Sequence, residues 1–355
     1  MNPTIGQLQQ ELYAALKKAE KNRRKIALYR FFSYGGALVY FVGIIVMQIK
    51  VFSGGDTSLY YTTNPNPTFM EQNRILIFII PLFVLITIGG FGMSFFQRKF
   101  AEAEKSSIRH IIRKMFPDAQ CSLASVNLPM ASAMKSNFFG GIDPHDAGGQ
   151  SFGYISFEDN RRKLTFRDVL INAGTSYRWV SESGFGGLII VAKYLFKGLS
   201  TNRVENITGG FRGMFAEAQL EKKINGSVVV LPDHLESRLD YLAKSIQALK
   251  NVNGNKLVTL EDVEFERCFA VYASDEITAR YVLTPAMMLR MTELKHKYNR
   301  DIMLSFNSDR FYFAVAMPEG FLTLGNAPLT SGEALKDLYD NIVTARGILN
   351  DLKLK

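Results

Sequence analysis

Asp301 to Met317 reads DIMLSFNSDRFYFAVAM. Two apolar and aromatic runs flank the polar triplet Asn307-Ser308-Asp309, so the stretch predicts an antiparallel β-hairpin. Just before it, Thr284-Pro285 opens AMMLRMTELKHKYN. Threonine is a good N-cap and proline suits the first helical turn, so a helix starts there. Its Met288, Met291 and Leu294 would face inward, either as adaptable core or as a ligand groove. After the hairpin, Ser331 to Leu352 carries Leu335, Leu338, Ile342, Ala345 and Leu349 at helical spacing. Upstream, LVTLEDVEFERCFAVYAS at Leu257–Ser274 reads as two strand-like pieces. Pro232-Asp233 opens a helix with Leu235, Leu239, Leu242, Ile246 and Leu249 on one stripe. The run GGFRGMFAEAQLEKKINGSVVVLP predicts a hairpin turning at Asn225-Gly226. Further strands are expected in SFGYISFED, KLTFRDVLI and TSYRWVS, the first two separated by Asp159-Asn160-Arg161. Strands and helices come in blocks without a repeating βαβ unit. Residues 117–355 therefore form an α+β domain with antiparallel strands.

The chain has 355 residues, 47% of them hydrophobic and 21% charged. That balance is too apolar for disorder and too polar for a chain made mostly of membrane spans. Two cysteines, Cys121 and Cys268, exclude a disulfide-rich scaffold and a cysteine-based zinc module. The net charge is +9, but residues 1–114 hold 15 of the 42 Lys/Arg and 6 of the 33 Asp/Glu. The remainder carries 27 of each sign. The α+β domain therefore has no net basic footprint, and no nucleic-acid partner is expected.

Two apolar runs stand in the basic third. Phe31 to Phe52 is FFSYGGALVYFVGIIVMQIKVF, charged only at Lys50, and Ile75 to Phe96 is ILIFIIPLFVLITIGGFGMSFF, with no charge. About 20 residues suffice for a helix to cross roughly 30 Å of hydrocarbon. Proline and glycine inside such helices are common. The first run follows a long charged segment and lacks a small-residue cleavage site, so it reads as a retained anchor. Lys17, Lys18, Lys21, Arg23, Arg24, Lys25 and Arg30 precede it, whereas Arg98, Lys99, Lys105, Arg109, Arg113 and Lys114 follow the second run. The loop between holds only Arg74. Positive charge then keeps both termini and the soluble domain in the cytoplasm.

The expected order is a cytoplasmic basic helix over 1–30, spans over 31–52 and 75–96, and an external loop over 53–74. A juxtamembrane helix over 97–116 and the α+β domain follow. Residues 4–30 and 97–115 extend the spans as a helical hairpin whose basic clusters either meet anionic headgroups of the bilayer or only set topology. Within the α+β domain, residues 185–200 read FGGLIIVAKYLFKGLS, too short to span. Leu188, Ile189, Lys193 and Phe196 are candidate membrane-interface contacts; a buried element or a mobile loop is the alternative.

The blocks FRGMFAEA, SVVVLPD, LEDVEFERCFAVYASDEITARYVLTPAMMLRM and SFNSDRFYFAVAM occur in that order. In them the chain resembles the bacterial membrane-protein family filed as domain of unknown function 3137, most specifically in Ala279–Pro285. The resemblance implies two N-terminal spans and a cytoplasmic domain in the bacterial inner membrane; it implies no chemistry. Some relatives resemble partners of LemA-type membrane proteins by gene proximity.

Catalytic motifs are missing. His110, His145, His234 and His296 form no metal-ligand spacing, although His145 beside Asp143 and Asp146 could form a small metal site or a polar loop. No nucleophile elbow appears. No cofactor is expected. In SDEITARY, Asp275, Glu276 and Arg280 could contact a partner or ligand, or simply start a helix with an ion pair. Phe211, Phe215, Phe265, Phe269, Tyr272, Tyr281 and Phe306 read as core. Ala279–Pro285 is expected to join a strand to a helix. Two functions fit. One is a membrane-anchored, non-enzymatic scaffold that presents its domain to a protein partner or a second copy. The other is a membrane-anchored ligand sensor or enzyme with a site near Asp275, Arg280, Thr284 and Ser305.

Overall fold

The computed structural model describes residues 4–40, 42–43, 46, 74–128, 130–139, 148–159, 162–172, 211–220, 223–233, 254–325 and 327–352. The chain divides into two compact units. One comprises Met1–Tyr13, Lys105–Thr175 and Asn202–Lys355; the other comprises Ala14–Glu104 and Ser176–Thr201.

The larger unit is built on one antiparallel sheet. Its strands are β1 (Gln120–Ser122), β2 (Val126–Asn127), β3 (Gly148–Asp159), β4 (Arg162–Asn172) and β5 (Phe211–Gln219). They continue as β6 (Ser227–Pro232), β7 (Lys256–Val258), β8 (Phe269–Ala273), β9 (Ile302–Asn307) and β10 (Arg310–Ala316). The order across the sheet is β1-β3-β4-β5-β10-β9-β6-β8-β7, with β2 also paired to β3. With its helices, this makes the domain α+β, as the block pattern of the sequence predicts.

Both faces of the central strands are covered, which explains why they are apolar at nearly every position. All of Val228–Leu231, Ile302–Phe306 and Phe311–Val315 are buried. One face carries the row Phe166, Ala216, Phe313, Leu304, Val230 and Val271, each opposite the next. The other carries Phe215, Ala314, Met303, Val229 and Tyr272 in one core with Phe138 and Phe139. The second core is closed in part by the short helix α3 (Met130–Lys135), whose Met130 and Met134 pack on it.

Helix α4 (Val263–Cys268) packs Phe265 against Phe269, the rings tilted and their centroids 5.1 Å apart. It is followed in the chain by α5 (Glu276–Val282), α6 (Pro285–Tyr298) and α7 (Glu333–Leu352). Met288, Met291 and Leu294 of α6 are buried, as are Leu335, Leu338, Ile342 and Ala345 of α7. Two long helices contribute their ends to this unit: α1 (Ile5–Arg30) and α2 (Arg74–Met115). Leu8, Ile108, Ile111 and Ile112 are buried, and Glu11 Oε1 lies 3.1 Å from His110 Nε2.

Three expectations are corrected. Asn225-Gly226 does turn the chain, with Gly226 at φ +114°, but β5 and β6 are not paired. The β9–β10 hairpin stands between them, turning through Ser308 at φ 56°. The stretch Leu257–Ser274 does hold two strands, the end of β7 and all of β8, but its middle is not strand: Asp262 caps Glu264 N and Phe265 N at 3.0 Å each, and the helix α4 intervenes. Ala279–Pro285 is not strand-like either, since Ala279 to Val282 are helical within α5. The start at Thr284-Pro285 is found, with Thr284 Oγ1 accepting from Met287 N at 3.3 Å.

In the smaller unit α1 and α2 run antiparallel. Tyr29 stacks on Phe96 at 5.6 Å. A Cβ on Gly92 would lie 2.4 Å from the Tyr29 ring, one on Gly89 would lie 2.3 Å from Ser33 Cβ, and one on Gly36 would lie 3.2 Å from Leu85. Glycine lets the two backbones approach this closely. The α1 backbone widens to a π-helical stretch over Phe31–Gly35 at the crossing. Leu16, Ala19 and Ala37 are buried, whereas Ile80, Phe83, Ile88 and Phe91 are more than half exposed. Among the described residues one helical stretch, Ile80–Met115, is long and apolar enough to cross a membrane. The other expected span, 31–52, lies partly outside the described residues, as does most of the expected loop.

Candidate functional site

Helix α5 holds the three residues singled out in SDEITARY. Asp275 is its N-cap, with φ −152° and ψ 158°. Asp275 Oδ1 accepts from Thr278 N at 2.7 Å, and the Thr278 hydroxyl stands 2.6 Å from Oδ2. These bonds, led by the Thr278 hydroxyl, hold the Asp275 carboxyl below its ordinary range. Ser274 Oγ links the cap to the sheet: it accepts from Ser227 N at 3.1 Å. Arg280 lies one turn beyond Glu276 and bonds Glu276 Oε1 through Nε at 3.2 Å and Nη2 at 2.8 Å. Its Nη1 reaches Glu261 Oε1 at 3.0 Å, before α4. The Glu276 hydrogen bond is the main reason that the guanidinium is held still more firmly protonated.

The other residues considered with them stand elsewhere. Thr284 caps α6, and Ser305 is fully buried in β9 between Tyr312 and Val229. Tyr281, expected in the core, is 62% exposed. The helix supplies the reason: residue 281 stands one turn beyond Ile277 on the outward face, while Ala279 faces in. Leu188, Ile189, Lys193 and Phe196 lie outside the described residues, as do His145, Asp143, Asp146 and the leucine stripe from Leu235 to Leu249.

A second charge cluster escaped sequence reasoning. Asp168 of β4 is fully buried and forms a two-pronged ion pair with Arg212 of β5, Nη2 standing 3.0 Å from Oδ2 and Nη1 bonding Oδ1. Asp168 also accepts from Phe321 N and Leu322 N at 3.2 Å each, while Arg212 Nη1 donates to Val169 O at 2.9 Å. The Arg212 guanidinium lies 4.6 Å from the Phe152 ring centroid. Gly320, at φ +100°, brings its backbone against this head: a Cβ there would stand 2.2 Å from Arg212 Nη2. The pair fastens the segment after β10 to the β4–β5 ladder. Its signal in the sequence was Asp168 two residues after Phe166, a charge at an inward position of an apolar strand.

Burial raises both thiols, Cys121 and Cys268, so each stays a protonated, weakly nucleophilic group near neutral pH. Among the described residues no group of three or more His, Cys, Asp or Glu could hold a metal ion.

The architecture defines a class: an antiparallel α+β domain in a chain that also carries a long, outwardly apolar helix. Residues 210–354 match the family model described as protein of unknown function (DUF3137), which supports the family assignment that the sequence blocks imply. The matched region runs from β5 into α7 and contains the α5 cluster. No curated protein and no solved structure matches the chain.

Proposed function

We propose that the chain is a membrane-anchored, non-enzymatic scaffold that presents its α+β domain to a protein partner. The observation that carries this reading is α2, whose apolar stretch turns Ile80, Phe83, Ile88 and Phe91 outward. Water penalises such a surface and hydrocarbon does not. The close glycine contacts at Gly89 and Gly92 suit helices that pack within lipid. Residues 31–52 and 75–96 are then the two spans, and their basic flanks put both termini and the domain on the cytoplasmic side of a bacterial inner membrane. Lys25 Nζ lies 4.6 Å from the Phe96 ring centroid and Lys99 Nζ 4.3 Å from that of Phe95. This aromatic and basic collar fits the headgroup level, facing anionic lipid.

The partner contact is placed on α5. Asp275, Glu276 and Arg280 are exposed, and their polar atoms already engage one another or the backbone. That favours recognition by a surface over catalysis. A LemA-type membrane protein or a second copy of the chain are candidate partners. The test of the membrane reading is a pair of topology reporters fused at residue 62 and at the C-terminus. They should report opposite sides; the same side for both overturns the hairpin, and an external C-terminus overturns the compartment.

A further inference from the structure

Helix α5 is patterned inside out. Its buried position is Ala279, whereas Ile277 is 83% exposed and Tyr281 is 62% exposed. Four residues apart, these two stand side by side on one face. Arg280 bridges α5 to Glu261, two residues before the exposed Val263 at the start of α4. Among the described residues of the larger unit, eight large apolar side chains are exposed, and five of them fall between Leu257 and Leu289. A surface helix ordinarily turns its apolar face to the core. A concentration of outward Ile, Val and Tyr marks a contact face, and tyrosine is favoured at the centres of such contacts.

Charge decides what the face accepts. From Glu261 to Tyr281 the chain carries six carboxylates against Arg267 and Arg280. Arg280 is already held by Glu276 and Glu261. Glu261, Glu264 and Glu276 keep well-exposed side chains. Beside the apolar residues the exposed carboxylates of Glu261, Glu264 and Glu276 outnumber the Arg280 guanidinium, with Glu264 3.6 Å from His296 of α6. An anionic leaflet carries the same sign and is repelled.

We infer that this face docks a cationic amphipathic segment of a partner protein. Apolar side chains of the segment cover Ile277, Tyr281 and Val263, while its Lys and Arg meet Glu261, Glu264 and Glu276. The inference rests on the reading that the domain is presented to a partner, and it names the chemistry of that partner.

The test replaces Tyr281 by a photo-crosslinking phenylalanine analogue in the full-length protein in its native membrane. After irradiation, mass spectrometry reads the linked peptide. The expected product is a peptide of another protein in which apolar residues alternate with Lys or Arg. A Glu261→Lys/Glu276→Lys variant should lower its yield about tenfold, as loss of charge complementarity does. Ile277→Ser, which alters an exposed side chain only, should lower the yield without lowering the melting temperature. An analogue at exposed Val343 should give no such product. Linkage to lipid, to a second copy of this chain or to an acidic peptide overturns the inference, as does the absence of any adduct. Those outcomes leave the anchoring itself to the topology reporters.

Discussion

The same chemical pair occurs in two settings. Asp168 and Arg212 are sealed between β4, β5 and the segment after β10, with Asp168 fully buried. Arg280 joins Glu276 and Glu261 on the surface, with side-chain exposures of 44%, 63% and 87%. In the first, both carboxylate oxygens have partners from the guanidinium and from two backbone N–H groups. Removing one partner strands a charge in a low-dielectric interior. In the second, water replaces whatever is removed. Burial, more than contact distance, separates a fastener of the fold from a charge free to serve recognition.

The comparison can be broken at its strongest point. Asp168→Ala in the detergent-solubilised protein is expected to cost about 3–5 kcal/mol in denaturant unfolding, because Arg212 is left buried and unpaired. The Asp168→Ala/Arg212→Met double variant should recover part of that loss. A cost of less than about 1 kcal/mol for the single change would place the pair with the surface ones. Gly320→Ala is next, at about 1–3 kcal/mol, since it forces a left-handed backbone on alanine and drives a methyl into Arg212. Its effect should shrink when Arg212 is first shortened. Thr284→Ala should cost about 1 kcal/mol, the loss of one helix cap, read as a lower melting temperature.

The exposed cluster predicts smaller responses. The Asp275 carboxyl is held down by Thr278, so the stabilisation it lends is present above the ordinary carboxylate value of 3.8. That stabilisation is lost as pH falls through the depressed folded value. The melting-temperature difference between wild type and Asp275→Asn should be constant above the ordinary carboxylate value, shrink as pH falls below it and level off once pH is under the depressed folded value. A difference that grows on acidification contradicts the cap geometry. Arg280→Ala should leave the melting temperature within about a degree, at low and high salt alike. A large drop would move Arg280 into the company of Arg212.

What was legible in the sequence follows from the range of the forces involved. The cap and proline at Thr284-Pro285, the hairpin from Asp301 to Met317 and the stripe from Leu335 to Ala345 are local signals, and each is found. The pairing of β5 with β10 is not local: Asn225-Gly226 carries a good turn signal, yet the neighbour of β5 comes from residues 310–316. In Glu261–Cys268 the capping aspartate outweighed an apolar alternation of only a few residues. Tyr281 was misplaced because period two was read where period 3.6 applies. The Asp275–Arg280 cluster could be located because spacing and charge are written in the chain. The Asp168–Arg212 pair could not be joined from sequence, since only the register of β4 on β5 brings residues 44 apart together.

The strand order also constrains how the domain comes into being. Strands β9 and β10 emerge after residue 300, yet they fill the middle of the sheet. During synthesis β5 and β6 must each wait with an unpaired edge until that hairpin arrives. Closure therefore depends on contacts between residues 74 to 103 positions apart, a topology that slows the search for the native state. A ribosome stalled near residue 300 would hold two half-sheets with open edges, the form most prone to join another nascent chain.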